Sequence, residues 1–422
     1  MTAIAEFCLV TTGLPNYNDS NLMKRCDPML YNDFQSEKLS ALGFGAMRLP
    51  LQDDGVIDQA ELDRMVDAAI AAGVNYFDTA HPYHGGKSEG ALGQSLRSYP
   101  REKWNLADKF PGHQNVKGVR PVTPEEIFEE QLKRCGVDYF DFYLLHNVNE
   151  NSLACYYGNP ENRFLEYFME QKEKGRIRHL GFSCHAAPSG LEQFLALYGE
   201  HMEFCQIQLN YIDWTLQDAK RKVEILREAG IPVWVMEPVR GGKLASFDAE
   251  TEDRMRSMRP NDSIPAWAFR WLRTVPQPTM ILSGMSNLAQ MEDNLRTFSS
   301  DEKLREEELQ ILDEISARIS RQIPCTACRY CCAGCPMELD IPLLLSMAND
   351  MAVSDSFNTV SRYSALGAGK QAAACIGCGQ CSNACPQKID VPEQMRRLDK
   401  LMSSHKSWEE ICRERAEAAE KK

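Results

Sequence analysis

The sequence predicts a (β/α)8 barrel followed by a small, all-helical module that carries metal-ligating cysteines. Strand-like and helix-like segments alternate eight times between residues 40 and 300, and 422 residues suffice for one barrel with an appendage. Nine of the 16 cysteines then lie between Cys325 and Cys385. Hydrophobic residues make up 43% of the chain, so we expect a packed core rather than disorder.

Each predicted strand is a short run rich in Val, Ile, Phe and Tyr, and several runs are apolar on both faces, as buried parallel strands are. The eight runs are Leu42–Met47, Val74–Ala80, Trp104–Phe110, Tyr139–His146, Ile177–His185, Phe204–Tyr211, Pro232–Pro238 and Thr279–Met285. Helix start signals lie between them, such as Thr123 with Pro124, and Pro265. An open, doubly wound sheet is the alternative for the same alternation, but the number of residues favours the barrel.

The two ends of the chain depart from the barrel pattern. Residues 1–28 lack periodicity and are predicted to form a loosely ordered extension, with a true start at Met29 as the alternative. We assign residues 29–319 to the barrel, 320–405 to the helical module and 406–422 to a charged C-terminal helix.

Charge and hydropathy exclude several classes of protein. The net charge is −13, of which residues 320–422 contribute +1 and the remainder −14. This acidic body lacks the basic stripe that nucleic acid requires. No run approaches the roughly 18 apolar residues of a membrane span, and residues 1–10 carry no basic signal-peptide segment. We therefore expect a cytoplasmic protein without a nucleic-acid or membrane partner.

One internal repeat is present, at an offset of 50 residues. The segments CTACRYCCAGCP and CIGCGQCSNACP share the pattern C-x2-C-x2-C-x3-C-P, and an Asp and a Pro recur after each. The matching pairs are Cys325 and Cys375, Cys328 and Cys378, Cys331 and Cys381, Cys335 and Cys385, Pro336 and Pro386, Asp340 and Asp390, and Pro342 and Pro392. Seven ordered matches at one offset indicate a duplicated unit.

The spacing within each repeat is typical of ligands for 4Fe-4S clusters, where three cysteines bind one cluster and the fourth binds its neighbour. We predict two clusters, one held by Cys325, Cys328, Cys331 and Cys385, and the other by Cys375, Cys378, Cys381 and Cys335. Cys332 has no counterpart in the repeat and is predicted not to be a ligand. Structural zinc is the alternative, but zinc sites usually present two separated C-x2-C pairs.

The segment between the two repeats is too long for a compact two-hairpin ferredoxin and is predicted to be helical. The module therefore resembles the α-helical ferredoxin domains. Such a module carries electrons one at a time between redox centres.

Four polar residues follow three neighbouring strands of the predicted barrel, at the ends where barrel enzymes place their chemistry. Asp78 and Tyr83 lie in FDTAHPY, Lys109 in LADKF and His146 in YLLHN. Each alone is explained as a cap, a core residue or a solvated charge, but together they indicate one site. We expect Tyr83 to protonate a carbonyl oxygen, with Lys109 bringing the phenol pKa down. Asp78 would hold Lys109 charged, and His146 would orient the carbonyl.

These motifs, with SALGFGAMRLP, GFS at 181–183 and EPVRGG at 237–242, resemble the aldo-keto reductase family over residues 29–300. With the cysteine module, the whole chain is similar to the branch that carries a ferredoxin-like domain. The resemblance implies that Ser183 and Gln206 hold a nicotinamide carboxamide, that Met236 takes the place of the stacking aromatic, and that Asn294 contacts the adenine end.

Besides Met236, two further departures from the family pattern concern the cofactor. Cys184 stands where an Asn usually follows the Ser, which weakens the amide contact. Gly284 and Gln290 match the basic residues that grip a 2′-phosphate, which leaves no fixed positive charge there. The resemblance thus implies NADH rather than NADPH, while the sequence leaves flavin binding open.

Three functional hypotheses follow. The first is a reductase of a small-molecule carbonyl that uses NAD(P)H and relays electrons through two 4Fe-4S clusters. The second is a reductase fed by a flavin or by a redox partner such as ferredoxin, without nicotinamide. The third is a non-enzymatic redox sensor, against which the four polar residues of the barrel speak. No motif names the substrate.

Overall fold

The computed structural model describes residues 28–114, 123–150, 152–153, 156, 163–320, 323, 325, 329–353, 357–385, 387–406, 410, 413–414 and 417. The predicted N-terminal extension, apart from residue 28, and most of the predicted C-terminal helix lie outside this range.

The predicted barrel is confirmed. Its eight parallel strands are β3 (Leu42–Gly45), β4 (Tyr76–Asp78), β5 (Asn105–Phe110), β6 (Phe140–Val148), β7 (Ile177–Cys184), β8 (Cys205–Gln208), β9 (Val233–Met236) and β10 (Pro278–Gly284). They pair in chain order, and β10 closes the ring on β3, with Ile281 opposite Leu42. This closure excludes the open sheet.

A hairpin that the sequence analysis missed precedes the barrel. Strands β1 (Tyr31–Phe34) and β2 (Glu37–Ser40) pair antiparallel, and Gln35 in the turn has φ of 52°. The Phe34 ring lies 4.9 Å from that of Trp234, inside the barrel's interior core. The hairpin thus fills the end of the barrel opposite to the strand ends that carry the polar residues.

Helices surround the barrel, and their caps explain where they begin. They are α1 (Gln59–Ala71), α2 (Ser88–Leu96), α3 (Pro124–Cys135), α4 (Phe164–Glu173), α5 (Pro188–Tyr198), α6 (Asp213–Leu216), α7 (Ala219–Glu228), α8 (Ala249–Met258), α9 (Ile264–Leu272), α10 (Leu288–Phe298) and α11 (Glu306–Ser320). Thr123 accepts a hydrogen bond from the Glu126 amide, and Ser263 accepts one from the Ala266 amide. Thr123 therefore caps the helix that it was expected to start, and Pro265 lies in the first turn of a helix that Ser263 caps.

The C-terminal module has a hydrophobic core of its own. Its helices are α12 (Tyr330–Ala333), α13 (Ile341–Val353), α14 (Phe357–Ala365), α15 (Gln380–Ala384) and α16 (Val391–Ser403). No helix in the described part of the chain is long and apolar enough to cross a membrane.

The sequence repeat is also a structural repeat. Helices α13 and α16 begin and end 50 residues apart. Asp340 and Asp390 accept hydrogen bonds from the amides three residues on, at 3.3 and 3.2 Å. Pro342 and Pro392 follow in the first turn, where a missing amide costs nothing. The recurring Asp and Pro are thus explained as helix starts.

Candidate active site

Three of the four polar residues form a buried contact at the carboxyl ends of β4 and β5. The Lys109 Nζ lies 2.5 Å from Asp78 Oδ1 and donates a 2.6 Å hydrogen bond to the Thr79 carbonyl. It also lies 3.4 Å from the Tyr83 hydroxyl. The side chains of Lys109 and Asp78 are 1% and 4% exposed. Because both charges are shielded from water, the ammonium is held in one position against the phenol.

The electrostatics of this contact differ in part from the expectation. Burial lowers the pKa of Lys109, but Asp78 and Tyr83 raise it by more, so the ammonium stays charged. Burial raises the pKa of Tyr83 above its ordinary value, and the opposing effect of Lys109 is smaller. The predicted lowering of the Tyr83 pKa is therefore wrong in its net direction. Burial outweighs the neighbouring charge, and the phenol remains protonated at neutral pH.

His146 completes the group from β6. Its ring packs edge-on against Tyr83, with 5.9 Å between ring centroids. His113, which the sequence analysis did not select, packs against His146 at 4.7 Å and has its Nδ1 3.0 Å from the His146 carbonyl oxygen. Tyr156 donates a hydrogen bond to the same carbonyl. Both lie in segments between elements whose sequence carried no recognisable pattern.

The residues expected to hold a nicotinamide are distributed over neighbouring strands. Ser183 on β7 lies opposite Gln206 on β8, and the Gln206 amide is 3.5 Å from Asp78 Oδ2. The Ser183 hydroxyl accepts a hydrogen bond from the Asn147 amide. Met236 ends β9, one strand further on. Ser183 and Gln206 are thus brought beside the polar group.

The residues expected near the adenine end lie on β10 and α10. Asn294 donates a 2.8 Å hydrogen bond to the Ser283 hydroxyl, so it is set apart from Ser183 and Gln206. A Cβ on Gly284 would lie 3.3 to 3.4 Å from the side-chain carbons of Arg48. Arg48 therefore brings a side chain beside Gly284 that the sequence analysis did not consider. Arg48 lies near the start of the barrel sequence, far from Gly284 along the chain. Its guanidinium lies 3.5 Å from a carboxylate oxygen of Glu237.

A cavity in the helical module is lined by the four cysteines predicted to hold the second cluster. Cys335 comes from the first repeat, while Cys375, Cys378 and Cys381 come from the second, and apolar residues such as Met395 complete the lining. Four thiols around an apolar cavity fit a 4Fe-4S cluster, which cysteine thiolates hold. Among the described residues, no three Cys, His, Asp or Glu side chains lie close enough together to hold a single metal ion.

The first set of predicted ligands is described only in part. Cys331 is buried in the module's core, and Cys325 and Cys385 pack against that core half-buried. Cys328 lies outside the described residues. Cys332 follows Cys331 on α12 and packs against the same core.

Two sequence profiles match this chain. That of the Aldo/keto reductase family matches residues 41–317, and that of the 4Fe-4S dicluster domain matches residues 324–389. The chain belongs to the aldo/keto reductase family. It is an oxidoreductase of the aldo-keto reductase type with a C-terminal 4Fe-4S domain.

Relatives of this reductase cover its barrel. It is 23% identical over 307 residues to "Probable aldo-keto reductase 1" of Glycine max, which spans 64% of this chain and 85% of the relative. It is 25% identical over 306 residues to the "NADH-specific methylglyoxal reductase" of Escherichia coli, which spans 62% of this chain and 90% of the relative.

Solved aldo-keto reductases share the fold of the barrel. The holo form of AKR11C1 from Bacillus halodurans superimposes with a TM-score of 0.53 at 22% identity, covering 68% of this chain and 96% of that one. An aldo-keto reductase from Klebsiella pneumoniae in complex with NADPH gives a TM-score of 0.52 at 21% identity, with the same two coverages.

Proposed function

We propose that the barrel reduces a carbonyl of a small molecule with a nicotinamide cofactor. The observation that carries the proposal is the buried contact of Asp78, Lys109 and the Tyr83 hydroxyl. Burial keeps the Tyr83 phenol protonated, so it can donate a proton. The Lys109 ammonium, 3.4 Å away, stabilises the phenolate that forms as the proton leaves.

Each side chain then has a defined task. Tyr83 donates its proton to the carbonyl oxygen, and Lys109 stabilises the phenolate that forms. Asp78 keeps Lys109 charged and oriented, because its carboxylate lies 2.5 Å from the ammonium. His146 borders the Tyr83 ring and donates to the same oxygen.

On the cofactor side, Ser183 and Gln206 would hold the carboxamide, Met236 would lie against the ring and Asn294 would contact the adenine end. NADH is favoured over NADPH for two reasons. Neither Gly284 nor Gln290 carries a charge, and the nearby Arg48 is balanced by Glu237. A relative 25% identical is named NADH-specific, which supports the same choice.

In the module, residues 320–405, the two cysteine sets would hold two 4Fe-4S clusters. When bound, nicotinamide supplies a hydride, whereas the clusters carry single electrons. A hydride carries two electrons together, so exchange between nicotinamide and the clusters requires a group that takes up both and passes them on singly, such as the flavin that the sequence leaves open. We propose that the module exchanges these electrons with a redox partner such as a ferredoxin.

A second candidate is favoured by the position of the module. Asn358 on α14 donates a 2.6 Å hydrogen bond to Gln208, the last residue of β8. The module therefore reaches the strand that carries Gln206. In this candidate the barrel receives electrons from the module, directly or through a flavin, and does not use nicotinamide.

The two candidates are separated by the electron donor that supports turnover. Iron-loaded protein is incubated anaerobically with a panel of aldehydes and ketones, and with NADH, NADPH or chemically reduced ferredoxin. Of the three electron donors, we expect only NADH to yield product. Product that forms only with reduced ferredoxin would replace the first candidate by the second.

A further inference from the structure

The iron–sulfur module contacts the barrel at the mouth that holds the polar group. Its contacts fall at the ends of β8 and β9 and on the segments that follow them. Side chains along a strand alternate between two faces, so Gln208 points to the same interior side as Gln206. Asn358 of the module thus binds a side chain that neighbours a proposed nicotinamide contact.

A buried ionic group joins the two parts of the chain. Asp350 on α13 pairs with Arg240, which follows β9, and accepts a 2.6 Å hydrogen bond from Gln217. Within the module, Thr359 donates to Asp350. Asp350 is 2% exposed and Arg240 is 4% exposed, so water is excluded from the pair.

The same group extends to the Gln208 side chain. The Arg240 Nε lies 3.3 Å from Asp213 Oδ1, and Asp213 is fully buried. The other oxygen of Asp213 accepts hydrogen bonds from Gln208 at 2.7 Å and Asn210 at 2.6 Å. Gln208 is therefore held from two sides, by Asp213 of the barrel and by Asn358 of the module.

This arrangement is unlike that of a tethered carrier that swings between docking sites. Separation of the module would leave Asp350 and Arg240 without each other, and a buried charge that loses its partner is strongly unfavourable. Loop contacts between mobile parts are usually exposed and exchange with water. Here the charged groups are enclosed.

From these contacts we infer that the iron–sulfur module stays docked on the barrel and forms one side of the active-site mouth, next to the proposed nicotinamide site. The ion pair of Asp350 with Arg240, called the lock below, holds the module on the barrel. Asn358 is a positioning residue that acts through Gln208. The positioning part rests on the proposed nicotinamide site, whereas the lock does not.

Hydrogen exchange of the iron-loaded full chain tests the lock. In the wild type, we expect the amides of α6, α13 and α14 to exchange as slowly as those of the barrel strands. Asp350→Ala should accelerate exchange in α13 and α14 and in residues 208–217 by ~10²-fold or more, because the buried Arg240 loses its partner from the module. Iron content should not change.

Two further variants keep this test decisive. Glu314→Gln is the matched control, since Glu314 pairs with Arg254 between α11 and α8 with both side chains more than half exposed, and it should leave exchange unchanged. Arg240→Met removes the partner from the barrel side and cannot disturb the cysteines directly. Fast exchange across the interface in the wild type, or unchanged exchange in both Asp350→Ala and Arg240→Met, would overturn the lock.

The positioning role of Asn358 has its own readout. Asn358→Ala should raise the KM for NADH roughly 2- to 12-fold, the range for one hydrogen bond, with kcat much less affected. A normal KM in a variant that still turns over would overturn the positioning role and leave the proposed reduction intact. A wild type that does not use NADH would instead refute the proposed function, and the hydrogen-exchange result on the lock would remain valid.

Discussion

The barrel and the module build their sites in different ways. In the barrel, the reactive side chains are buried and bound by other protein groups, as the contacts of Lys109 with the Asp78 and Tyr83 side chains and the Thr79 carbonyl illustrate. In the module, the reactive groups are thiols that line a cavity, and Cys378 among them is exposed. The polar group of the barrel is therefore held together by protein atoms alone, whereas the module's cysteines need an inorganic group to join them.

The largest expected effect is a loss of activity in the barrel that leaves the iron of the module unchanged. Tyr83→Phe removes one oxygen and keeps the ring, so packing against His146 is preserved. Carbonyl reduction should fall by ~10²- to 10⁴-fold, the usual value of a positioned proton donor. Iron content and the unfolding temperature should match the wild type. Full activity in this variant would show that protons reach the carbonyl by another route.

A second effect concerns the stability of the barrel alone. Burial lowers the pKa of His179, but hydrogen bonds to Glu203 and Glu37 raise it to about 9 in the folded protein. The folded value exceeds the ordinary 6.5, so this stabilisation is complete below pH 6.5 and is lost as pH rises through 9. It amounts to about 3 kcal/mol.

Urea unfolding at a series of pH values, followed by a signal of the barrel, measures this loss. His179→Gln keeps a polar side chain but cannot be charged, so its stability should change much less across the same range. Equal pH dependence in the variant and the wild type would assign the loss to other groups.

A third effect sharpens the cofactor assignment. Gly284→Lys should shift the ratio of dissociation constants toward NADPH by about 1.5–3 kcal/mol, the value of a hydrogen bond to a charged group. The new Cβ would lie 3.3 Å from the nearest carbon of the flexible Arg48 side chain, which must move slightly to admit it. Gly284→Ala adds the Cβ without the charge and should not shift the ratio. A wild type that strongly prefers NADPH would contradict the assignment.

The smallest expected fold-change concerns the iron content of the module. Cys378→Ala should remove about half of the protein's iron, because a methyl group cannot replace a thiolate ligand. Cys332→Ala is the control, as this residue has no counterpart in the repeat, and should leave iron unchanged. Carbonyl reduction by the barrel with NADH should survive in both. Iron lost equally in the two variants would contradict the proposed ligand sets.

Predictions from the sequence succeeded where the relevant pattern is local. The strands follow from apolar runs, and the repeat that includes Asp340 and Asp390 predicted a duplicated unit, which the structure shows as two equivalent helices. Contacts between distant parts of the chain carried no such pattern. Arg48 beside Gly284 and Arg240 beside Asp350, 110 residues away, depend on closure of the barrel and docking of the module.

The pKa of Tyr83 shows a different limit. The sequence placed Lys109 near Tyr83, but the net direction of the shift depends on burial, which exceeds the effect of the neighbouring charge. The hairpin that contains Phe34 was missed because its two strands have only four residues each.

The central claim is that nicotinamide chemistry in the barrel and electron transfer in the module occur in one enzyme. Anaerobic titration of iron-loaded protein with NADH, recorded by the visible absorbance of the clusters, tests it most directly. With a flavin present to pass the two electrons of the hydride on singly, we predict that NADH bleaches the clusters and that excess carbonyl substrate, which consumes the NADH, restores their colour. Clusters that remain oxidised while NADH reduces the carbonyl would contradict the claim and show two independent sites on one chain.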